Sequence, residues 1–189
     1  EVDVDVISLH SEFINSENVH DKLQSFNGIL VAPGFGERGV EGKIEAIKYV
    51  RLNNIPFFGI CYGMQMAVIE YARNMLRLDD ANSTEVNPNT KNPVIDLMEE
   101  QKNITEKGGT MRLGAWKCHI TKETLCHSVY KAENIEERHR HRYELNNKYL
   151  NQLEENGLVA SGKNKDTNLV EVVEVKDHPW FIGVQYHPE

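Results

Sequence analysis

Residues 59–63, with the sequence GICYG, join an apolar run to a helix-like run and predict a tight strand-to-helix turn. Glycines flank the turn because a Cβ on either side would clash. Such a turn presents the Cys61 sulfur at the C-terminal end of a strand and above a helix N-terminus. The positive end of that helix favours the thiolate, which is the nucleophilic form of cysteine. The alternative is a buried structural cysteine between two packing glycines.

The chain ends with a second pattern that strengthens the catalytic interpretation of Cys61. His187 and Glu189 are two residues apart in an extended segment, so their side chains point to the same side. The carboxylate can then accept a hydrogen bond from one ring nitrogen of His187 and leave the other nitrogen free for a thiol. Together with the turn at Cys61, this pattern predicts a Cys-His-Glu triad. An ordinary strand end remains the alternative for the His-Pro-Glu sequence.

The first half of the chain alternates strand and helix patterns. A buried strand is predicted over residues 28–32, a glycine-rich loop over 33–39, an amphipathic helix over 40–53 and a second buried strand over 56–60. This order predicts an α/β fold with a mainly parallel central sheet flanked by helices. An alternating segment at residues 2–9 predicts a further strand.

The second half is richer in strand patterns and predicts a smaller strand-rich part. A helix is expected near residues 148–156, ended by Gly157. A short element is expected near residues 94–98. Strands are expected at residues 111–120, 141–145, 158–161, 169–175 and 181–186.

Composition narrows the functional classes. The 189 residues suit one domain, and the formal net charge of −8 argues against a general nucleic-acid binder. No run is long and apolar enough to predict a membrane span. Three cysteines without paired spacing favour a reducing, cytoplasmic setting. Since the chain lacks a starting Met and stops on Glu189, we expect residues 1–189 to be a single domain cut from a longer protein.

A glycine pattern at residues 34–39 competes with this interpretation, because GFGERG matches the dinucleotide-binding fingerprint. That fingerprint also requires an acidic residue about 20 positions later, at the end of the next strand. Cys61 occupies that strand end instead, and no Asp or Glu lies between residues 46 and 69. The loop is better suited to an oxyanion hole, formed by the backbone N–H groups of Gly34 and Tyr62.

The strongest cluster of charges lies at residues 137–144, with the sequence ERHRHRYE. Its alternation predicts arginines on one face of a strand and His139 and His141 on the other. A solvated edge strand is one interpretation, and capture of a substrate carboxylate by one arginine is the other. We expect no metal at the two histidines, because no further ligands cluster nearby.

With these motifs together, the chain resembles the class I, triad-type glutamine amidotransferases, and within them the glutaminase domains of CTP synthases. The turn at Cys61 and the terminal His-Pro-Glu carry the broader resemblance. Four blocks carry the narrower one: residues 34–43, 80–85, 108–114 and 137–144. The resemblance covers nearly the whole chain and implies the flavodoxin-like fold of that class.

The resemblance also implies roles for matching residues. Cys61 would attack the side-chain amide carbon of L-glutamine, His187 would move the protons and Glu189 would orient it. Gly34 and Tyr62 would supply the oxyanion N–H groups, ammonia would leave, and a glutamyl thioester on Cys61 would be hydrolysed. The implied substrate-binding residues are Gly34, Phe35, Tyr62, Gln65, Glu85 for the ammonium and Arg142 for the carboxylate.

In the resembled family, ammonia passes to an amidoligase domain that converts UTP to CTP with ATP and Mg²⁺, and GTP activates glutamine hydrolysis. The resemblance implies no cofactor or metal in residues 1–189 and a homotetramer for the full-length protein. It implies that residues 108–114 form a mobile lid. The effector contacts that it suggests are Phe35, Gly109, Arg112 and Leu113.

Two positions depart from the family pattern. Pro33 replaces the first of two usual glycines and removes one N–H, which makes the loop stiffer. Tyr62 replaces a usual leucine and adds bulk beside the glutamine pocket. The alternatives are another triad-type amidotransferase, a γ-glutamyl hydrolase, or a catalytically silent regulatory module that keeps the fold.

Overall fold

The computed structural model describes residues 3–97 and 111–189. Two 3₁₀ turns lie at Ser11–Phe13 and Asn147–Tyr149. The helices are α1 (Val19–Leu23), α2 (Val40–Leu52), α3 (Tyr62–Met75), α4 (Leu125–Tyr130) and α5 (Leu150–Glu155). The strands are β1 (Ile29–Val31), β2 (Phe57–Ile60), β3 (Asn82–Ser83), β4 (Pro93–Leu97), β5 (Arg112–Ile120), β6 (Asn134–His141), β7 (Tyr143–Leu145), β8 (Leu158–Lys163), β9 (Val170–Val175) and β10 (Phe181–Val184).

The described residues form a main sheet of seven strands in the order β1-β2-β10-β9-β8-β5-β6 and a small sheet in the order β3-β4-β7. In the main sheet β1, β2 and β10 are parallel, whereas β9, β8, β5 and β6 join by antiparallel pairing. The α/β class with flanking helices is therefore confirmed. The parallel part is limited to three strands, since the strand-rich second half extends the same sheet.

Helix α3 is the centre of the core. Residues 62–72 of this helix are all buried, and α2 packs against it. The rings of Phe57 and Phe181, from neighbouring parallel strands, lie with centroids 4.3 Å apart beneath it. Because β2 and β10 run in the same direction, their C-terminal ends lie side by side at one edge of the sheet. This arrangement positions the candidate site.

The sequence predicted most of these elements. The helix at residues 40–53, the buried strand before Cys61, the helix after it and five later strand regions are confirmed within a few residues. Gly157 follows α5 with φ +101°, as expected for a residue that ends a helix. The short helices α1 and α4 were not predicted, because each spans fewer than two turns.

The predicted strand at residues 2–9 is wrong for its described part, residues 3–9. These residues have no strand assignment, and Val6 is 85% exposed. An alternating pattern makes a strand only where a neighbouring strand supplies hydrogen bonds, and β1 pairs only with β2 among the described strands. A groove of about 640 Å³ separates residues 4–9 from the outer edge of β1.

No helix in residues 3–97 and 111–189 combines the length and the apolar character that crossing a membrane requires.

Candidate active site

Cys61 lies in the tight turn that the sequence predicts. Its backbone has φ 50° and ψ −99°, a conformation that non-glycine residues rarely adopt. The turn directly follows β2 and precedes α3, and the Cys61 N–H donates to the Val184 carbonyl at 2.7 Å. A Cβ added to Gly59 would lie 2.8 Å from the carbonyl carbon of Gly63. The strained turn therefore depends on both glycines.

Gly63→Ala tests this dependence. A Cβ at position 63 would lie 2.1 Å from the carbonyl oxygen of Val31, and this oxygen belongs to the backbone of β1, which cannot move aside as easily as a side chain. We expect the free energy of unfolding to fall by about 3 kcal/mol. Urea denaturation followed by circular dichroism measures this change. Gly28→Ala is the matched control, because its added Cβ would make only ordinary contacts of 3.5 Å and longer. Equal losses in both variants would contradict the explanation.

Burial, with a smaller contribution from the charges of Glu144 and Glu189, raises the pKa of the Cys61 thiol to about 12, against the opposing effects of the Tyr62 N–H and the Gln185 side chain. The helix N-terminus favours the thiolate, as the sequence predicts, but burial of the sulfur opposes it. A helix terminus contributes roughly 0.3–1 kcal/mol, which is less than the desolvation of a buried charge. A nearby base must take the proton.

His187 and Glu189 form the predicted pair. Nδ1 of His187 lies 2.9 Å from Oε1 of Glu189. The backbone N–H of His187 donates to the Arg138 carbonyl. Although burial raises the pKa of Glu189, its hydrogen bond to His187 contributes to a net lowering. Nε2 of His187 is buried and has no hydrogen-bond partner within residues 3–97 and 111–189. That nitrogen is free to accept a proton.

The glycine-rich loop lies against the turn at Cys61. A Cβ on Gly34 would lie 3.5 Å from the Tyr62 ring, and the Tyr62 hydroxyl donates to the Gly36 carbonyl. The Gly36 N–H donates to Oε1 of Glu85 at 3.0 Å. Phe35, between the two glycines, is 85% exposed. The predicted oxyanion loop and the predicted ammonium anchor are thus linked through one hydrogen-bonded segment.

Arg142 and Gln65 lie around the junction of β6 and β7. The Arg142 guanidinium lies 5.9 Å from the centroid of the Tyr143 ring, and its Nε is buried without a partner in the part of the chain that the structure describes. Gln65 is buried, and its Nε2 donates to the Tyr143 carbonyl at 2.9 Å. Arg142 therefore has an unused donor for a ligand, whereas the amide nitrogen of Gln65 is already engaged.

A sequence profile decides the family. The glutamine amidotransferase class-I profile matches residues 1–189. The chain belongs to the class I glutamine amidotransferase family. The CTP synthase of Flavobacterium johnsoniae is 68% identical over 189 residues, and that of Christiangramia forsetii is 62% identical over the same length. This amidotransferase chain spans 35% of the length of each.

Solved structures agree with this assignment of the amidotransferase. The glutaminase domain of Trypanosoma brucei CTPS, solved with bound acivicin, is 38% identical with a TM-score of 0.92, covering 99% of this chain and 74% of that one. The narrower resemblance is therefore confirmed. A putative GMP synthase subunit from Thermoplasma acidophilum, at 14% identity and a TM-score of 0.61, covering 94% of this chain and 68% of that one, shares the fold.

A buried charged cluster beside the amidotransferase site was not predicted as a unit. Arg112 contacts both Glu144 and Glu171, and Nε2 of His141 lies 2.7 Å from Oε1 of Glu144. Burial raises the pKa of Glu171 to about 7. His139 and His141 lie on the inner face of β6, as the alternation predicted. Glu171 within the apolar segment VEVVEV was the available signal in the sequence, and it was missed because glutamate is usually exposed.

The suggested effector contacts differ in their exposure. Arg112 is buried and pairs with the carboxylates of Glu144 and Glu171. Leu113 and Phe35 are exposed. Gly109 and the rest of residues 108–110, the first part of the predicted lid, lie outside the described residues, whereas residues 112–114 begin β5.

Proposed function

We propose that this chain hydrolyses L-glutamine to glutamate and ammonia through a triad of Cys61, His187 and Glu189. One observation carries the proposal: a buried cysteine in a strained turn lies at the sheet edge that also bears a histidine–glutamate pair. Two further observations support the proposal: the parallel pairing of β2 with β10 and the unpartnered Nε2 of His187, which would serve as the base that the thiol needs.

The reaction follows from these groups. His187 takes the thiol proton while Cys61 attacks the amide carbon, and Glu189 stabilises the resulting imidazolium. The N–H groups of Gly34 and Tyr62 stabilise the oxyanion of the tetrahedral intermediate. His187 returns the proton to the leaving nitrogen, so that ammonia departs and a glutamyl thioester remains. His187 then activates water, which releases glutamate and restores the thiol.

Two charged residues are proposed to anchor free glutamine. Glu85 keeps carboxylate lone pairs beyond the one used by Gly36 and can accept from the substrate ammonium. Arg142 offers its unpartnered Nε to the substrate carboxylate. Phe35 and Gln65 would border the same pocket. An acidic and a basic anchor together select a free amino acid over a peptide glutamine.

We also propose that the chain supplies ammonia to an amidoligase domain of a longer protein. The names of the relatives and the 35% share of their length support this step. Residues 1–189 would be one cytoplasmic glutaminase domain without its own cofactor. The longer protein, a homotetramer, would aminate UTP to CTP with ATP and Mg²⁺ under GTP activation. Formation of CTP from UTP by the full-length protein tests this step, and its absence would favour another triad-type amidotransferase or a γ-glutamyl hydrolase.

Labelling with 6-diazo-5-oxo-norleucine tests glutamine hydrolysis itself. We expect a single adduct on Cys61, located by mass spectrometry, that excess glutamine suppresses. Labelling spread over Cys118 and Cys126, or no labelling, would contradict a formed site and favour a catalytically silent module.

The anchors are tested with Arg142→Met and its neighbour Arg140→Met. We expect the KM for glutamine to rise about tenfold to a hundredfold in Arg142→Met, because a charge-assisted hydrogen bond contributes roughly 1.5–3 kcal/mol. Arg140 is exposed near the end of β6, two residues before Arg142, and serves as the matched control. A glutaminase assay over a range of glutamine concentrations measures both. An unchanged KM in Arg142→Met would remove this residue from the site.

A further inference from the structure

Gln185 is a buried residue beside the nucleophile that the mechanism above does not use. It follows β10, two residues before His187, and its backbone N–H donates to the Glu171 carbonyl at 2.8 Å. Its side chain is fully buried, and its Nε2 lies 3.6 Å from Sγ of Cys61. Gln185 therefore contacts the attacking atom directly.

The hydrogen bonds of Gln65 determine which end of the Gln185 amide faces the sulfur. The Tyr143 carbonyl can only accept a hydrogen bond, so Gln65 must present its Nε2 to it. The same Nε2 lies 3.3 Å from Oε1 of Gln185. With that oxygen directed to Gln65, the amide nitrogen of Gln185 must face the sulfur. The orientation of Gln185 thus follows from a backbone carbonyl on β7.

We propose that Gln185 holds the Cys61 sulfur in place and stabilises its negative charge, and that Gln65 orients the Gln185 amide for this task. The proposal rests on the proposed function, because it concerns the thiolate that attacks glutamine. In a buried site a thiolate needs donors to replace water. The Tyr62 N–H is one donor near the sulfur, and it turns to the substrate oxyanion during attack. Gln185 then remains as the donor on sulfur.

The charges around the sulfur show why such a donor matters. Burial and the carboxylates of Glu144 and Glu189 disfavour the thiolate, whereas the Gln185 amide lowers the pKa of Cys61. A hydrogen bond to a charged group contributes roughly one to two pKa units. Without Gln185, the Cys61 thiol would therefore give up its proton less readily to His187.

The test is the rate at which iodoacetamide alkylates Cys61, measured between pH 7 and 10 by mass spectrometry of the Cys61 peptide. Gln185→Met keeps the side-chain length and removes the donor. Each unit of pKa lowers the thiolate fraction tenfold and raises its nucleophilicity about threefold. We expect the rate to fall about threefold to tenfold in Gln185→Met and by a smaller factor in Gln65→Met. Gln152→Met, at an exposed position, should match the wild type.

The direction in which the alkylation rate of Cys61 changes separates this proposal from a purely structural role for Gln185. A variant that merely loosens the site exposes the thiol and is alkylated faster than the wild type. A wild-type or faster rate in folded Gln185→Met, with folding monitored by circular dichroism, would overturn the proposal. Should Gln185→Met fail to fold, Gln65→Met decides by the same criterion. A normal rate in Gln65→Met beside a slow Gln185→Met would overturn the orienting role of Gln65.

Alkylation needs no glutamine, so it separates this proposal from the proposed function. A chain that shows the expected alkylation rates but does not hydrolyse glutamine keeps the role of Gln185 and loses the glutaminase activity. If the wild-type chain hydrolyses glutamine but Gln185→Met is alkylated at the wild-type rate, the glutaminase activity stands and the role of Gln185 is lost.

Discussion

Replacing Cys61 by alanine is expected to reduce glutamine hydrolysis by about 10⁴-fold or more. The thiol forms the bond to the amide carbon, and no other described group is in position to replace it. Ammonia release under saturating glutamine measures the loss. Alanine removes only the sulfur atom from the buried Cys61 side chain, so the alanine variant should fold and still bind glutamine. Binding without turnover would separate the nucleophile from the anchors.

Cys118→Ala and Cys126→Ala are the matched controls for that experiment. Both cysteines are free and buried like Cys61, but neither lies in a tight turn between glycines. They should keep most of the activity. Residual activity of one per cent or more in Cys61→Ala, or a comparable loss in either control, would refute the assignment of the nucleophile.

Replacing His187 by asparagine is expected to reduce turnover by about 10³-fold to 10⁴-fold. Asparagine can still donate to Glu189, but it cannot take a proton from the thiol, whose pKa is raised to about 12 by burial. Turnover should recover partly as the pH rises, because hydroxide then replaces the missing base. A pH series of glutaminase rates measures both effects.

His119→Asn is the control for the histidine experiment. His119 lies on β5 and contacts the Asn134 side chain, so it tests the same exchange at a histidine outside the proposed triad. Its turnover and pH dependence should match the wild type. Turnover of His187→Asn within tenfold of the wild type would require a different base.

The sequence predicted the parts of the site that depend on local patterns. The glycines on both sides of Cys61 allow a tight turn between β2 and α3. The two-residue spacing of His187 and Glu189 in an extended segment places both side chains on the same side of the backbone. The parallel strands were recognisable in the sequence because such strands are typically short, nearly continuous apolar runs. These local rules located the turn at Cys61 and the histidine–glutamate pair.

The parts that the sequence did not reveal depend on contacts between distant residues. Gln185 and Gln65 are 120 positions apart, and nothing in either neighbourhood indicates that their amides meet. The cluster of Arg112, Glu144 and Glu171 needs three strands in place before its charges compensate one another. The raised pKa of Cys61 depends on burial, which a helix-terminus argument alone does not include.

The outer edge of β1 has a consequence for how the isolated chain behaves in solution. Among the described strands only β2 pairs with this short strand, and its other side lies beside Leu30, which is 56% exposed, and beside the apolar groove next to residues 4–9. An uncovered apolar strand edge readily accepts a strand from another molecule. Catalytic rates are therefore best compared at low protein concentration, where self-association through this edge does not reduce the number of working sites.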